Sequence, residues 1–559
     1  MQKTGFWRKL VAGVACAALS VGAAAMLPAA AVAAEDVALT DADFLRQDGT
    51  RLVNRDGETV QLRGTNIGSW LLQESWMAPV VGRDNEWAYW DTLQALESRF
   101  GAEATAELIK IYEDNWFTEA DIDNLQELGF NVLRVPFWYR NFQTDDNGTW
   151  KLNENGEIDF SRLDWVVEEC GKRGMYVILD MHGAPGFQSV NHCTGRIGQT
   201  TLWTDEKYQD MTVELWVEIA RHFADNPVVA AYDLLNEPMN GNPGKSDRQL
   251  WELYDKIYKG IRTVDTNHVL IMEGVWELAN LPTPTFYDWE NFMYSLHNYN
   301  DKKSEIDKKV RDYVNKIEIA NWDIPLLVGE FQGYDIPDYV FDSYNNVGFS
   351  WTTWTYKGAK SGPSTWFLYN GRPEEVDPVN DSYEEIARKW STVRTEDNFK
   401  RNNKLAETVS EYATAPVVDY ANRPQETTTT VPGATTDPTT AGNTDGNESS
   451  FPTWAIAVIA GAVVIVVIVV IVLVSRKKKG GPDGGSADGP DGGPDGGSGV
   501  GPDGGSADGP DGGPEGGAPA GPQSAPASPE TPAQAPDSPE AGTPAVPEAP
   551  AEPPADGAR

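Results

Sequence analysis

The chain has 559 residues and carries 84 acidic against 45 basic side chains, a net charge of −39. That balance argues against nucleic acid as a partner, since phosphate binding needs clustered Lys and Arg. The figures average over segments of very different composition, so the chain has to be divided before any of them is used.

At the N-terminus Lys3, Arg8 and Lys9 precede an apolar stretch from Leu10 to Leu27, and small residues run to Ala34. This is the layout of a secretory signal peptide, predicted over residues 1–34. The small-residue end and acidic continuation suit cleavage better than a first membrane span. Cys16 would leave with it. Cys170 and Cys193 remain, able to form one disulfide in an exported protein or to stay free.

Residues 35–422 read as one folded domain, within the roughly 200 to more than 400 residues that a single (β/α)8 barrel spans. It opens with "LRQDGTRLVNRDGETVQLRG", whose two Asp-Gly pairs predict a hairpin at the bottom of the barrel. The candidate strands follow as "VQLRGTN", "FNVLRVPF", "MYVILDMHG", "VVAAYDLLNEP", "HVLIMEG", "FMYSLHNY", "PLLVGEF" and "GFSWTTWTYK". Between them lie amphipathic helical stretches such as "RLDWVVEECGKRG", "DEKYQDMTVELWVEIARHFAD" and "DRQLWELYDKIYKGIRTV". Short apolar runs alternating with such stretches are the pattern of βα units and predict a (β/α)8 TIM barrel.

After the domain comes a Thr-rich stalk, residues 423–453, and then an uninterrupted apolar run, Ala455 to Val474. At ~1.5 Å rise per residue that run covers a hydrocarbon core of ~30 Å, predicting a transmembrane helix. The basic cluster Arg476–Lys479 behind it places the following residues in the cytoplasm and the domain outside, at the cell membrane. A cell-wall sorting signal would also pair an apolar run with basic residues, but no LPxTG pentapeptide precedes this one. The tail, residues 475–559, repeats "GPDGGSADGPDGGP" and ends rich in Pro, Ala and Glu. With almost no large apolar side chains it is predicted to be disordered.

The chemistry lies at the strand ends. Asn66, Arg134, His182, Asn236 with Glu237, His297 with Tyr299, Glu330 and Trp354 each close an apolar run. In a parallel barrel all these ends open on one face, where active sites of the fold lie. A carboxylate at the end of a strand as apolar as "VVAAYDLLNEP" is expensive unless paired, solvated or used, because burying it alone costs several kcal/mol. Two such carboxylates, Glu237 and Glu330, are the minimum equipment for glycoside hydrolysis: one protonated to release the leaving oxygen, one ionised to attack the anomeric carbon. Taken singly, each residue is more often a surface group or a satisfied core residue; jointly, at successive strand ends, they define a cleft. His182, His192 and His297 raise a metal reading, which no HExxH or close Cys/His ligand pair supports, so no metal and no cofactor is implied.

These motifs resemble the family 5 glycoside hydrolases over roughly Asp43 to Lys400. The resemblance implies a retaining β-glycosidase on a (β/α)8 barrel and a carbohydrate substrate. "LLNEP" resembles the acid/base signature, assigning Asn236 to a sugar hydroxyl and Glu237 to the proton; "LLVGEF" makes Glu330 the nucleophile. Arg134 in "FNVLRVPF", His182 in "DMHGAP", His297 and Tyr299 in "LHNY" and Trp354 in "SWTTWTYK" fill further substrate-binding positions. Within the family, "RGTNIGSWLLQESW" is most similar to exo-β-1,3-glucanases and β-glucosidases, which implies a sugar contact for Glu74, with Trp70 and Trp76 expected to flank it. An endo-acting glucanase or a glycolipid glycosidase of the same family is the alternative. The continuation "SVNHCTGRIG" departs from the glucanases. From another class, a glycan-binding surface protein without activity would keep the tryptophans but has no need of both carboxylates.

Overall fold

The computed structural model describes residues 38–82, 86–239, 246–360 and 366–418. All of these lie within the first of two compact units into which the chain divides, Met1–Pro432. The predicted signal peptide, stalk, transmembrane helix and tail fall outside the described residues. Among the described residues no helix is long and apolar enough to cross a membrane.

Eight strands close a parallel barrel in chain order: β1 (Arg63–Asn66), β2 (Val132–Trp138), β3 (Tyr176–Gly183), β4 (Val229–Asp233), β5 (Val269–Glu273), β6 (Phe292–Asn298), β7 (Leu326–Phe331) and β8 (Ser350–Thr353), the last pairing with the first. Seven fall inside one of the predicted apolar runs, and β2 extends its run by one residue, Trp138. Every residue of these strands is buried, which explains why they read as continuous apolar runs rather than alternating ones: their outer faces meet helices and their inner faces meet one another. The helices show the complementary pattern. In Glu206–Phe223 the buried positions are Met211, Thr212, Leu215, Trp216, Ile219, Ala220 and Phe223, one stripe at i, i+3, i+4 spacing, and Asp205 caps the first turn by accepting from the Lys207 N–H.

The N-terminal hairpin forms as expected. Arg46–Asp48 pairs antiparallel with Arg51–Val53 across Gly49, whose φ of +62° is the left-handed conformation that an Asp-Gly turn supplies. Its Leu45 and Leu52 pack into a small core with Val132, Tyr176, Val269 and Leu327, all near the N-terminal ends of their strands, so the hairpin closes the bottom of the barrel.

Three boundaries differ from the sequence reading. The run "VVAAYDLLNEP" leaves the sheet at Asp233, so Asn236 and Glu237 lie in the loop beyond β4. The last run divides into β8 and a separate strand, Lys357–Gly358, which joins Tyr369–Gly371 and Phe399–Arg401 in a three-stranded sheet. Tyr299 and Trp354 each stand one residue past their strands. In each case periodicity marks the apolar run but not where its ladder hydrogen bonds stop. Cys170 and Cys193 are both buried and free, so the disulfide option is not taken.

Candidate active site

Arg134 on β2 organises the cleft floor. Its guanidinium is fully buried, and a buried charge is tolerated only when paired and hydrogen-bonded. Nε donates to Asp233 Oδ2 at 2.9 Å; Nη1 donates to Asn66 Oδ1 at 2.9 Å and to Glu330 Oε1 at 3.1 Å. Nη2 donates to Asn236 Oδ1 at 3.0 Å and lies 3.1 Å from Asp180 Oδ1. Strand register produces this convergence: Asn66 sits opposite Arg134, and Asp180 opposite Asp233. Asp180 in turn holds His182, whose Nδ1 is 2.7 Å from Asp180 Oδ2 and whose ring stacks on Trp354 at 5.4 Å between centroids and 4° between planes.

On the next strands, His297 sits in register with Glu330. Its Nδ1 lies 2.9 Å from Glu237 Oε1 and 3.5 Å from Glu330 Oε2, while the Tyr299 hydroxyl donates to Glu330 Oε2 at 2.6 Å. Carboxylate oxygens of Glu237 and Glu330 approach within 4.8 Å of each other. Retaining glycosidases hold their carboxyl groups about 5 to 5.5 Å apart and inverting ones about 6.5 to 9.5 Å, so the pair has retaining geometry.

The two carboxyls have unlike surroundings. Burial pushes Glu237 up to about 7 against the opposing pull of His182. Burial raises Glu330 too, with His297 and Arg134 pulling against it. His297 is itself pushed down to about 3 by burial, so it is neutral, and Arg134 is the permanent cation that favours ionised Glu330. Glu330 receives donors on both oxygens, one of them cationic; Glu237 meets a neutral imidazole on Oε1 and, 4.0 Å from Oε2, the Cys193 thiol. Hydrogen bonds to the charged form are what hold a carboxyl ionised, so Glu237 is the group that keeps its proton.

Glu74 stands at the edge of this cluster. Its Oε2 accepts from Trp76 Nε1 at 2.9 Å and lies 3.2 Å from His192 Nε2; burial raises Glu74, but the hydrogen bond and charge of His192, the charge of His182 and the Trp76 hydrogen bond together hold it below the usual range. Trp76 packs with Trp354, Phe367, Met77 and Tyr299. Trp70 does not flank Glu74: its indole is fully buried, donates to the Glu113 carbonyl at 3.0 Å and packs on Phe117 and Trp165. The three histidines of the metal reading each face a different carboxylate: His182 Asp180, His192 Glu74, and His297 Glu237.

Sequence reasoning missed Asp180, Asp233, Glu273, Gln188 and the roles of His192 and Cys193. Gln188 is fully buried and donates to the carbonyls of His182 and Asn236, both at 2.8 Å, tying the ends of β3 and β4 together. The turn carrying His192 and Cys193 comes so close to β3 that a Cβ on Gly183 would lie 2.4 Å from the Thr194 carbonyl oxygen. The acids had a usable signal: Asp180 lies inside an apolar strand and Asp233 and Glu273 close theirs, polar groups in apolar sequence as Glu237 is.

The parallel eight-stranded barrel thus carries two opposed carboxyls and an arginine-organised floor at its strand ends. Residues 97–360 match the profile of Cellulase (glycosyl hydrolase family 5). The chain is 33% identical to a beta-xylosidase of Phanerodontia chrysosporium over 46% of its own length and 52% of that protein. It is 28% identical to a probable glucan 1,3-beta-glucosidase A of Aspergillus terreus over 51% and 70% of the respective chains. With a probable glucan endo-1,6-beta-glucosidase B of Aspergillus flavus it shares 26% identity over 57% of its length and 88% of that protein. It thus spans about half the length of the first of these relatives.

Proposed function

We propose that the protein is a retaining β-glycosidase that cleaves β-glucosidic bonds of glucans or glucosides by double displacement. The observation that carries this reading is the close approach of Glu237 and Glu330 together with their unlike hydrogen-bond partners, Arg134 and Tyr299 on Glu330 against His297 and Cys193 on Glu237. Glu330, ionised against Arg134 and oriented by Tyr299, attacks the anomeric carbon while Glu237 gives its proton to the departing oxygen. Glu237 then takes a proton from water, which displaces Glu330 and returns a product of unchanged configuration. Asn236, held by Arg134, is placed to bond a sugar hydroxyl; His182 and Trp354 form the floor, and Glu74 with Trp76 contacts the glycone. The exo-acting β-1,3-glucanase or β-glucosidase is the preferred form, with endo action or a glycolipid substrate as alternatives. Product profiling on a panel of β-glucans, aryl glycosides and glycolipids decides among them.

Glu237→Ala separates the two steps. On a natural sugar leaving group the loss of acid catalysis should cost about 10²- to 10⁴-fold, whereas an activated aryl β-glucoside should still glycosylate the enzyme. Added azide, which needs no deprotonation, should rescue the aryl reaction and give the β-glycosyl azide. In the wild type kcat/KM should fall on the alkaline side as Glu237 loses its proton near 7, and that limb should disappear from the aryl reaction of the variant. An unchanged profile in Glu237→Ala would remove it from the acid/base role.

We also propose that the domain is exported and held at the cell membrane by the apolar run 455–474, with the tail inside. The leader-like N-terminus and the Arg476–Lys479 cluster support this reading. Protease added to intact cells should release the catalytic domain by cutting the Thr-rich segment and leave the tail protected. A tail digested while cells remain sealed would reverse the orientation.

A further inference from the structure

Glu273 closes β5 and is fully buried directly behind the acid/base. Its Oε2 accepts the Glu237 peptide N–H at 3.0 Å and lies 3.5 Å from His297 Nε2, the ring nitrogen opposite the one that meets Glu237. The peptide it grips is an unusual one: Glu237 has φ +43°, a left-handed conformation that a non-glycine residue holds only when its surroundings impose it. The Tyr254 hydroxyl, from the helix after β4, bonds the Glu273 backbone on both its N–H and its carbonyl, at 3.0 Å each, and so fixes where the side chain starts.

Glu273 Oε1 and His297 Nε2 are both buried without a hydrogen-bond partner among the described residues. The charged groups around Glu273 are Asp233 on β4, Glu237 beyond it and Arg134 on β2; Arg134 already spends its donors on Asp233, Asn66, Asn236, Glu330 and Asp180. An ionised Glu273 would therefore leave one oxygen as a buried, uncompensated charge. A proton on Oε2, directed at His297 Nε2, turns Oε1 into a neutral carbonyl and gives the imidazole nitrogen its missing donor.

We infer that Glu273 is a positioning residue for the acid/base, a neutral carboxylic acid that anchors the Glu237 backbone and fixes His297 in the tautomer with its proton on Nδ1, facing Glu237. This inference rests on the assignment of Glu237 as acid/base. It explains how a neutral imidazole serves Glu237 in both steps: the Nδ1–H donates to the carboxylate formed when the proton leaves, without adding a charge that would strip that proton beforehand. Burial, with Asp233 and Glu237 adding to it, pushes the Glu273 carboxyl well above the usual carboxylate range, in keeping with a neutral acid.

Glu273→Gln and Glu273→Leu test this on the full chain in detergent. Both contacts run through the one atom Oε2, so the glutamine amide keeps only one of them: its nitrogen donates to His297 Nε2 but cannot accept the Glu237 N–H, and E273Q should hold the His297 tautomer with its alkaline limb in place while losing about tenfold on a glycoside with a poor leaving group. E273L loses both contacts and should fall about 100-fold on a glycoside with a poor leaving group and far less on an activated aryl glycoside, the signature of a misplaced acid. Nitrogen-15 spectra of the five histidines supply a readout independent of turnover: His297 should carry its proton on Nδ1 in wild type and E273Q and lose that preference in E273L. An E273Q that loses the Nδ1 tautomer as E273L does would overturn the neutral-acid assignment. An E273L with the wild-type tautomer, or with equal losses on both substrates, would overturn the positioning role. If wild type turns over neither glycoside, it is the glycosidase reading that fails, and the tautomer still reports whether Glu273 sets the ring.

Discussion

Glu330→Ala is expected to abolish turnover of every glycoside, activated or not, by roughly four orders of magnitude or more. The loss should not depend on the leaving group, because on the proposed mechanism the group removed is the one that forms the covalent intermediate. No neighbour can replace it. Glu237 is held back by its proton, Asp180 and Asp233 are locked onto Arg134, and Tyr299 is held well above its ordinary pKa by burial and by the carboxylate it faces. The shortened side chain leaves space on the face opposite the leaving group. Azide entering that space should displace an activated leaving group directly and yield the inverted α-glycosyl azide, the opposite product from that of Glu237→Ala. Comparing the anomeric configuration of the two azides assigns both roles; exchanged products would exchange Glu237 and Glu330.

Arg134→Met should produce the largest loss of stability in the cleft. The side chain is of similar length, but Asp180, Asp233 and Glu330 lose their shared counter-charge, and Asn66 and Asn236 lose a donor. Breaking a buried ion pair from one side costs about 3–5 kcal/mol, which for a domain of this size lowers Tm by about 5 °C. The deficit should depend on pH with a defined sign. Without Arg134 the folded-state pKa values of Asp233 and Glu330 rise further; Asp233 already stands at about 7 through burial despite Arg134. Groups that bind protons more tightly when folded lose stability as pH rises from the unfolded value through the folded one. The Tm deficit should therefore be smaller near pH 5 than near pH 8, and thermal unfolding at the two values measures it. A deficit independent of pH would mean that Arg134 contributes packing rather than charge compensation. Turnover should fall with it, because Glu330 would lose the cation that favours its ionised form.

Much of this site was legible in the sequence because its chemistry violates its surroundings. A carboxylate ending "VVAAYDLLNEP", another inside "LLVGEF" and a histidine in "DMHG" are polar groups in chain that otherwise buries completely, and the parallel barrel puts all such strand ends on one face. The apolar runs determined the eight strands, and the two Asp-Gly pairs determined the hairpin beneath them. What only the tertiary structure decided is which of the anomalies meet. Asp180, Asp233 and Glu273 stand in apolar sequence as conspicuously as Glu237 does, yet they turn to Arg134 and His297 instead of the open cleft, and that direction depends on register between strands distant in sequence. Trp70 and Trp76 lie six residues apart in one loop, and their types do not say that one fills the core while the other bonds Glu74. The acid role proposed for Glu237 is likewise a tertiary property: the same side chain in water would ionise near 4, and it is pushed up to about 7 because burial removes water while Arg134 gives its donors to Glu330 and other partners instead.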